Sequence, residues 1–197
     1  MVKKSLNIGI LAFHGDVIEH EQALKKAGEN LKINLNVIWT RTKKDLENLD
    51  GLVIPGGEST TMQKLCDEAK IFNEIKKIKN IFGTCAGAIL LAKKVLHKTK
   101  NQKTFELMNI KIDRNAYGTQ SESFEEEIET KLGNINAVFI RAPKIKSIGK
   151  NVAILAEKNK EILACEEKIG NKYYLATCFH PEFTSPIFHE HFLKHCL

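Results

Sequence analysis

The feature that most constrains this chain is a glycine-flanked cysteine between an apolar run and a helix-forming run. Residues 81–82 are apolar, the sequence Gly-Thr-Cys-Ala-Gly follows at 83–87, and residues 86–94 favour a helix. This order is typical of a nucleophile elbow, where a strand turns sharply into a helix and presents a reactive side chain at the turn. Glycine is needed on both sides because a neighbouring Cβ would collide with the backbone of so tight a turn.

Cys85 is therefore the candidate nucleophile. It is predicted to lie at the start of the helix, where the positive end of the helix dipole lowers the pKa of a thiol and favours the reactive thiolate. Because a buried cysteine is more often an inert core residue, the assignment requires a base within reach.

His180 is the candidate base because it also follows a strand-like run, at residues 173–179. In an open α/β sheet the carboxyl ends of parallel strands meet at one edge, where ligands gather. Glu182 lies just beyond Pro181, and residues two apart in an extended segment point to the same side. Glu182 is thus predicted to orient His180, which completes a nucleophile–base–orienter triad with Cys85.

A second glycine turn, Pro-Gly-Gly-Glu-Ser-Thr-Thr at 55–61, ends one strand-like run and begins a helix. Its glycines allow backbone N–H groups to approach a ligand closely, and the helix N-terminus that follows favours negative charge. The N–H groups of Gly57 and Ala86 are the candidate oxyanion hole. The alternative is an ordinary glycine turn in which Ser59 caps the helix.

Short apolar runs alternate with helical patterns in the first half of the chain, which predicts a parallel sheet with helices on both faces. The strand-like runs cover 6–13, 35–39, 51–54 and 81–82, and the helical patterns cover 17–27, 59–69, 71–78 and 86–94. Asp16 is predicted to cap the first helix and Gly28 to end it. Ile18, Leu24 and Ala27 are predicted to form its buried face.

Beyond residue 94 the pattern changes to short strands separated by turns, and one of these turns is at Gly118. This half of the chain is predicted to add antiparallel or mixed strands to the sheet. The predicted strands cover 107–113, 123–129, 137–141, 152–156, 162–165 and 173–179, and a last helix covers 186–196. No repeat, low-complexity segment or linker divides the chain, so residues 1–197 are expected to form a single domain.

Composition excludes several classes of function. No apolar run approaches the ~20 residues of a membrane span, and the N-terminus has no signal-peptide core, so no membrane is expected as a partner. The five cysteines are scattered, which argues against a disulfide framework or a zinc site and favours a cytoplasmic location. The net charge of +6 comes almost wholly from interspersed lysines, so no nucleic-acid partner is expected.

Arginine and histidine add few further candidates. Arginine occurs only at 41, 114 and 141, and Arg114 and Arg141 are the candidates for binding an anion. The histidines other than His180 have no partner that the sequence reveals; they are His14, His20, His97, His189, His191 and His195. For His189 and His191, in the last predicted helix, packing or surface roles are expected rather than metal binding.

In combination these motifs resemble a known family. The glycine turn at 55–61, Gly-Thr-Cys-Ala-Gly, and Phe-His-Pro-Glu occur in the order that is typical of class I (triad) glutamine amidotransferases. Further motifs resemble the glutaminase subunit of pyridoxal 5'-phosphate synthase, and they lie at 15–21, 114–120, 123–125 and 138–143. The resemblance implies a flavodoxin-like three-layer fold with a mostly parallel central sheet, helices on both faces and added antiparallel strands in the C-terminal half.

The resemblance also implies hydrolysis of L-glutamine to L-glutamate and ammonia, with no metal or cofactor. Cys85 would attack the side-chain amide, His180 would take the thiol proton and later protonate the leaving ammonia, and Glu182 would orient His180. Water would then cleave the γ-glutamyl thioester. The residues that match the glutamine-binding positions of the family are Gly57, Glu58, Ser59, Arg114, Ile140 and Arg141.

The family implies a partner as well. Its members pass ammonia to a separate (β/α)8-barrel synthase subunit, which makes pyridoxal 5'-phosphate from ribose 5-phosphate and glyceraldehyde 3-phosphate. The resemblance implies that the glutaminase is weak alone and that docking of the synthase subunit completes the oxyanion hole near Gly56 and Gly57. This chain departs from the family at His14, where glutamine is usual, at Thr119, where arginine is common, and at Cys178, where serine is common.

Three alternatives remain open. The first is the glutaminase subunit of another amidotransferase, such as the one in histidine biosynthesis, although the motifs at 114–118 and 140–143 argue against it. The second is a non-catalytic binding protein on the same fold, which would not need an intact triad. The third is a cysteine peptidase or chaperone-like hydrolase, which commonly has a histidine near the elbow rather than in His-Pro-Glu.

Overall fold

The computed structural model describes residues 5–116 and 123–197, over which the chain forms one twelve-stranded sheet and five α-helices. The strands are β1 (Leu6–Leu11), β2 (Leu35–Thr40), β3 (Gly51–Ile54), β4 (Asn80–Thr84), β5 (Ala92–Leu96), β6 (Met108–Asp113), β7 (Phe124–Thr130), β8 (Gly133–Phe139), β9 (Lys144–Ile148), β10 (Val152–Lys158), β11 (Glu161–Ile169) and β12 (Lys172–Thr177). The α-helices are α1 (Val17–Leu31), α2 (Ser59–Glu68), α3 (Phe72–Ile75), α4 (Ala86–Leu91) and α5 (Ile187–Cys196), and short 3-10 helices cover Lys44–Leu46 and Pro181–Phe183.

The parallel part of the sheet positions the predicted nucleophile and base. Five strands lie side by side in the order β2-β1-β3-β4-β12, and every neighbouring pair is parallel. Thr84 at the end of β4 pairs with Thr177 at the end of β12. Cys85 and His180 therefore leave the sheet at the same carboxyl edge.

Beyond β12 the sheet becomes antiparallel. It continues through β11, β10, β7 and β8, with antiparallel pairing at each step. A side branch joins β5 to β6 in parallel and β6 to β9 in antiparallel orientation, and β9 returns to β11. The predicted fold class, an α/β sheet with antiparallel strands added in the C-terminal half, is confirmed.

Two apolar cores lie on opposite faces of the sheet. Alternate residues of a strand point to opposite faces, and β3 contributes Ile54 to one core and Val53 to the other. The Ile54 core includes Met62 of α2, and the Val53 core includes Leu24 of α1 and Phe192 of α5. No helix in the described part of the chain has the length and apolar character needed to cross a bilayer.

The structure corrects several predicted details of the first half. Helix α1 continues through Gly28 to Leu31, and Lys32 takes the left-handed conformation that ends it. Ile18, predicted to be buried, is 55% exposed, whereas Leu24 and Ala27 are buried as predicted. The last segment of the predicted helix at 86–94 is instead the start of β5, because pairing with β6 overrides the helix propensity of these residues.

Other boundaries also shift. The helix predicted at 71–78 covers only Phe72–Ile75, the strand predicted at 137–141 begins at Gly133 and ends at Phe139, and β9 was not predicted. The predicted turn at Gly118 and the departure at Thr119 lie outside the described residues.

Candidate active site

The nucleophile elbow forms as predicted between β4 and α4. Cys85 has φ 47° and ψ −102°, a conformation that is unusual for a residue with a side chain and that marks strained functional positions. Its N–H donates to the Thr177 carbonyl at 2.9 Å, which joins the elbow to the end of β12. A Cβ on Gly83 would lie 2.5 Å from the carbonyl carbon of Gly87, so the predicted need for glycine is confirmed.

His180 is held on both its backbone and its ring. Its N–H donates to the Val138 carbonyl at 2.8 Å, which draws β8 toward the carboxyl edge of the parallel strands. Its Nδ1 lies 2.8 Å from Oε1 of Glu182 and 3.1 Å from Oδ2 of Asp16. Its buried Nε2 has no hydrogen-bond partner among the described residues, which leaves this atom for the reacting groups next to Cys85.

The surroundings of His180 favour its protonated form. Burial lowers the pKa of the imidazole, but the neighbouring Asp16, Cys85 and Glu182 side chains outweigh burial and raise the pKa to about 12. An imidazolium beside a cysteine is the arrangement that activates thiol nucleophiles. The local geometry can therefore support proton exchange between the thiol and the ring.

Two details of this arrangement differ from the prediction. Glu182 lies in the 3-10 helix Pro181–Phe183 rather than in an extended segment, because Pro181 suits the first position of a helical turn. Its carboxylate nevertheless reaches His180. Asp16 lies at the cap position of α1, but its side chain makes no capping hydrogen bond and faces His180 instead.

A buried polar group supports Glu182 from behind. Nε2 of His20 lies 3.3 Å from Oε1 of Glu182 and 3.1 Å from Oγ1 of Thr84, and its Nδ1 lies 2.9 Å from Nε2 of His189. Burial is the largest cause that lowers the pKa of His20 well below its usual value, and burial lowers that of His189 to about 3. Both rings are therefore neutral, and the packing role expected for His189 is confirmed.

A cavity of about 470 Å³ opens beside Cys85, within the size range of small-molecule sites. Eight predicted site residues line it, namely Gly57, Glu58, Ser59, Cys85, Arg114, Ile140, Arg141 and His180. Of the other two, Glu182 lies behind His180, and Ala86 is the buried first residue of α4. The N–H of Ala86 belongs to the first turn of a helix, where donors lack helical partners.

Arg114 is anchored by three neighbours in this cavity. One terminal nitrogen donates to Oε1 of Gln102 at 2.7 Å and to Oγ1 of Thr60 at 3.1 Å, and the other donates to Oε1 of Glu58 at 3.0 Å. The amide of Gln102 also donates to Oγ of Ser59 at 2.8 Å. The guanidinium is therefore fixed at the wall of the cavity, where it can meet a carboxylate.

Glu58 caps α2 in place of Ser59. Its carboxylate accepts hydrogen bonds from the N–H groups of Thr60 and Thr61 at 3.0 and 2.6 Å. Burial raises the pKa of this carboxyl, but the backbone hydrogen bonds outweigh burial and lower it to about 2. The Glu58 carboxylate is thus already engaged by the helix and by Arg114, and the alternative in which Ser59 caps the helix is wrong.

The opposite wall follows the end of β8. The carbonyl of Ile140 lies 3.8 Å from Sγ of Cys85, and Arg141 has a φ of 44°. His14 packs directly against Gly57, which has a φ of 118°, so the unusual histidine lies beside the predicted oxyanion loop. The part of the 114–120 motif from residue 117 onward lies outside the described residues.

Sequence reasoning missed Asp16, His20 and Gln102 as parts of this site. Asp16 and His20 are four residues apart at the start of α1, a spacing that predicts one shared helix face. That signal indicates proximity to each other but not to Glu182. Gln102 lies in an irregular segment with no pattern that predicts its neighbours.

Comparison with known proteins identifies the family. The family model described as the SNO glutamine amidotransferase family matches residues 10–197. The chain belongs to this family. It is 44% identical to pyridoxal 5'-phosphate synthase subunit PdxT of Desulforamulus reducens, over 95% of this chain and 97% of that protein. It is also 44% identical to the protein of the same name from Methanococcus maripaludis, over 95% of each.

Solved structures agree with this assignment. A crystal structure of a glutamine amidotransferase superimposes with a TM-score of 0.82 at 39% identity, over 96% of this chain and 98% of that one. A putative GMP synthase protein from Thermoplasma acidophilum shares the fold at 18% identity, with a TM-score of 0.61, over 97% of this chain and 94% of that one. The chain is a glutamine amidotransferase, which decides against the cysteine peptidase and the non-catalytic alternatives.

Proposed function

We propose that this chain is the glutaminase subunit of a pyridoxal 5'-phosphate synthase and hydrolyses L-glutamine to L-glutamate and ammonia. The observation that carries the proposal is the shared cavity, in which Cys85, His180 and Arg114 face one volume. Relatives that match nearly the whole chain are named as subunits of that synthase, which supports the pathway.

Glutamine binding follows from the charges of the cavity. The guanidinium of Arg114 offers two donors in a plane, which suits the α-carboxylate of free glutamine. Glu58, Gln102 and Thr60 hold this guanidinium in one orientation, so little side-chain freedom is lost when the substrate binds. The Ile140 carbonyl and Arg141 line the wall nearest to Cys85 and complete the contacts that we assign to the substrate.

Chemistry begins with the thiolate of Cys85, whose proton His180 holds. The sulfur attacks the side-chain amide carbon, and the N–H groups of Gly57 and Ala86 stabilise the oxyanion that forms. His180 gives its proton to the leaving nitrogen, the carbon–nitrogen bond breaks, and ammonia departs from a γ-glutamyl thioester. His180 then takes a proton from water as the water oxygen attacks the thioester, which releases glutamate and restores Cys85.

Glu182 and Asp16 keep His180 in the required state during these steps. Their carboxylates lie on the Nδ1 side of the ring, so Nδ1 carries a proton and Nε2 is the atom that exchanges one with sulfur and substrate. Burial raises the pKa of Glu182, and both carboxyl groups favour the imidazolium that exists before attack. His20 donates to Glu182 in turn, which fixes the carboxylate without adding charge.

We further propose that the ammonia passes to a (β/α)8-barrel synthase subunit that docks at the mouth of the cavity. His14 is exposed there and packs against Gly57, so a docked partner can reposition the oxyanion loop through this residue.

The unpaired state of all five cysteines supports a cytoplasmic location. The single sheet that connects both halves of the described chain supports one glutaminase domain over residues 1–197.

The test is to measure ammonia release from glutamine with and without a candidate synthase subunit. We expect release to rise when the subunit is present, to disappear in Cys85→Ala and to persist in Cys66→Ala, a buried cysteine outside the cavity. Absence of ammonia under both conditions, or release that Cys85→Ala leaves unchanged, would contradict the enzymatic proposal. Formation of pyridoxal 5'-phosphate that requires both subunits identifies the pathway, and release that only another synthase stimulates contradicts it.

A further inference from the structure

A second cluster of chemically active side chains lies far from the elbow, between α5 and β11. Glu166, His191 and His195 each present one potential ligand atom, and these atoms all lie within 4.8 Å of one another. Tyr173, which contacts the cluster, is at the beginning of β12, whereas His180 follows its end. Six residues of an extended strand span roughly 20 Å, so the cluster is separate from the catalytic cavity.

The helix and the neighbouring strand preorganise this cluster. His191 and His195 are four residues apart on α5 and therefore share one face. Nδ1 of His195 donates to the backbone carbonyl of His191 at 3.0 Å, which leaves Nε2 with a lone pair for a ligand. Metal-binding histidines commonly have this arrangement, in which a carbonyl orients the ring through its other nitrogen.

Glu166 is oriented from two sides. Its Oε2 lies 2.6 Å from Nε2 of His191 and accepts the hydroxyl of Tyr173 at 2.7 Å. The Tyr173 ring stacks on His195, with centroids 3.7 Å apart and an interplanar angle of 5°.

We propose that Glu166, His191 and His195 form an accessory site for one divalent transition-metal ion, for which Zn²⁺ is the best match. Two imidazoles and one carboxylate are ligands that Zn²⁺ prefers, at about 2.0–2.2 Å, with water in the fourth position. In a tetrahedral arrangement at these bond lengths, ligand atoms on one ion lie about 3.4 Å apart, so the widest separation of 4.8 Å must close by up to about 1.4 Å. The Glu166 and His191 side chains are 23% and 20% exposed, which gives the ion a path from solvent.

The ion would connect α5 to β11 and would take no part in glutamine hydrolysis. Helix α5 also carries His189, which hydrogen-bonds to His20 behind Glu182. Metal binding would therefore stabilise the helix that supports the catalytic carboxylate. The sequence alone predicted no metal site, because Glu166 is 25 residues before His191 and only the fold brings them together.

The test uses Co²⁺ as a spectroscopic probe on the full chain after treatment with a chelator. We expect one equivalent of Co²⁺ to produce visible absorption of tetrahedral or five-coordinate intensity, without a thiolate charge-transfer band, and Zn²⁺ to displace it. Zn²⁺ at a hundredfold excess over its Kd is expected to raise Tm by roughly 5–10 °C. Glutaminase activity should not change when this site fills.

Two variants and one control make the outcome decisive. His195→Phe keeps a ring that can stack on Tyr173 but removes the ligand nitrogen, and Glu166→Gln keeps the shape of the side chain but removes its charge. Each is expected to weaken Co²⁺ binding at least tenfold with an unchanged far-UV circular dichroism spectrum. His97→Ala removes another histidine–carboxylate pair, 2.8 Å from Asp113, and should bind Co²⁺ normally.

The proposal is overturned if Co²⁺ gives no visible spectrum and Zn²⁺ no rise in Tm. It is also overturned if the spectrum persists in both His195→Phe and Glu166→Gln, or if a thiolate band and loss of activity accompany binding, because the ion would then lie elsewhere, such as at Cys85. If one variant fails to fold, the other decides the result.

Discussion

Substitution of Gly83 by alanine tests the elbow geometry most directly. A Cβ at this position would lie 2.5 Å from the carbonyl carbon of Gly87, 2.6 Å from its oxygen and 2.9 Å from the nitrogen of Ala88. All three are backbone atoms of the first turn of α4, so no change of rotamer can relieve the contact. The turn that carries Cys85 must move instead.

The size of this movement follows from the distances. Ordinary contacts of a Cβ begin at about 3.4 Å, so the turn must move by roughly 0.9 Å relative to β4. Misplacement of a reacting group by 1 Å costs on the order of 100-fold in rate. Overpacking of a buried site costs about 1–3 kcal/mol in the free energy of unfolding, or roughly 2–12 °C in Tm for a chain of this size.

The assay is glutamate formation in the presence of the candidate synthase subunit, together with thermal unfolding. For Gly83→Ala we expect kcat to fall about 100-fold with a smaller change in KM, since Arg114 and its neighbours are not displaced. Gly28→Ala is the matched control, because Gly28 lies inside α1 and its new Cβ would be at an ordinary contact distance of 3.4 Å from Leu35. This variant should be as active as the parent, and its free energy of unfolding should be up to about 1 kcal/mol higher. If Gly83→Ala keeps more than half of kcat and its Tm moves by less than 1 °C, the close approach is refuted.

Two further predictions concern side chains that support the site. Gln102→Ala removes an acceptor from Arg114 and a donor from Ser59, so we expect KM for glutamine to rise roughly tenfold while kcat changes less, and an unchanged KM would show that Gln102 does not hold the guanidinium. His189→Phe tests a pH effect. The folded pKa of about 3 lies below the ordinary 6.5, so the unfolded chain takes up this proton first and stability falls by about 2 kcal/mol from pH 7 to pH 5. In urea unfolding, the stability of His189→Phe should fall by about 2 kcal/mol less than that of the parent between pH 7 and pH 5. If both proteins lose the same stability over this range, the low pKa of His189 is contradicted.

The sequence predicted the parallel half of the fold well because its strands are short, apolar and bounded by clear turns. The Pro-Gly-Gly turn directly follows β3, and the glycine pair brackets Cys85, which lies between the end of β4 and the start of α4. Prediction failed where tertiary pairing overrides local preference. Residues 92–94 are good helix formers, yet they begin β5, because pairing with β6 gives their backbone groups hydrogen-bond partners in the sheet instead of in a helix.

Several residues that face the cavity were also predictable, because they follow a strand or open a helix at the carboxyl edge, whereas Ile140 was identified only through the resemblance to the family and Ile89 was not predicted. Cys85, His180 and Gly57 are recognisable in this way from position and residue type alone. Glu182 was selected for a contact that the structure contains, although through a 3-10 turn rather than an extended segment. The chemistry at a strand end is thus encoded locally.

The residues that support Glu182 from behind, away from the cavity, could not be predicted in this way. His20 reaches Glu182 only because α1 and α5 pack side by side on one face of the sheet, and its partner His189 comes from 169 residues further along the chain. Neither histidine carries a local signal, since a histidine on a helix is ordinarily a surface or packing residue. Their burial requires that each ring find a partner, and the packing of α1 against α5 lets the two rings pair with each other while His20 also reaches Glu182 and Thr84. Support for the catalytic carboxylate is therefore a property of helix packing, which explains why sequence motifs identify the triad but not the residues that hold it.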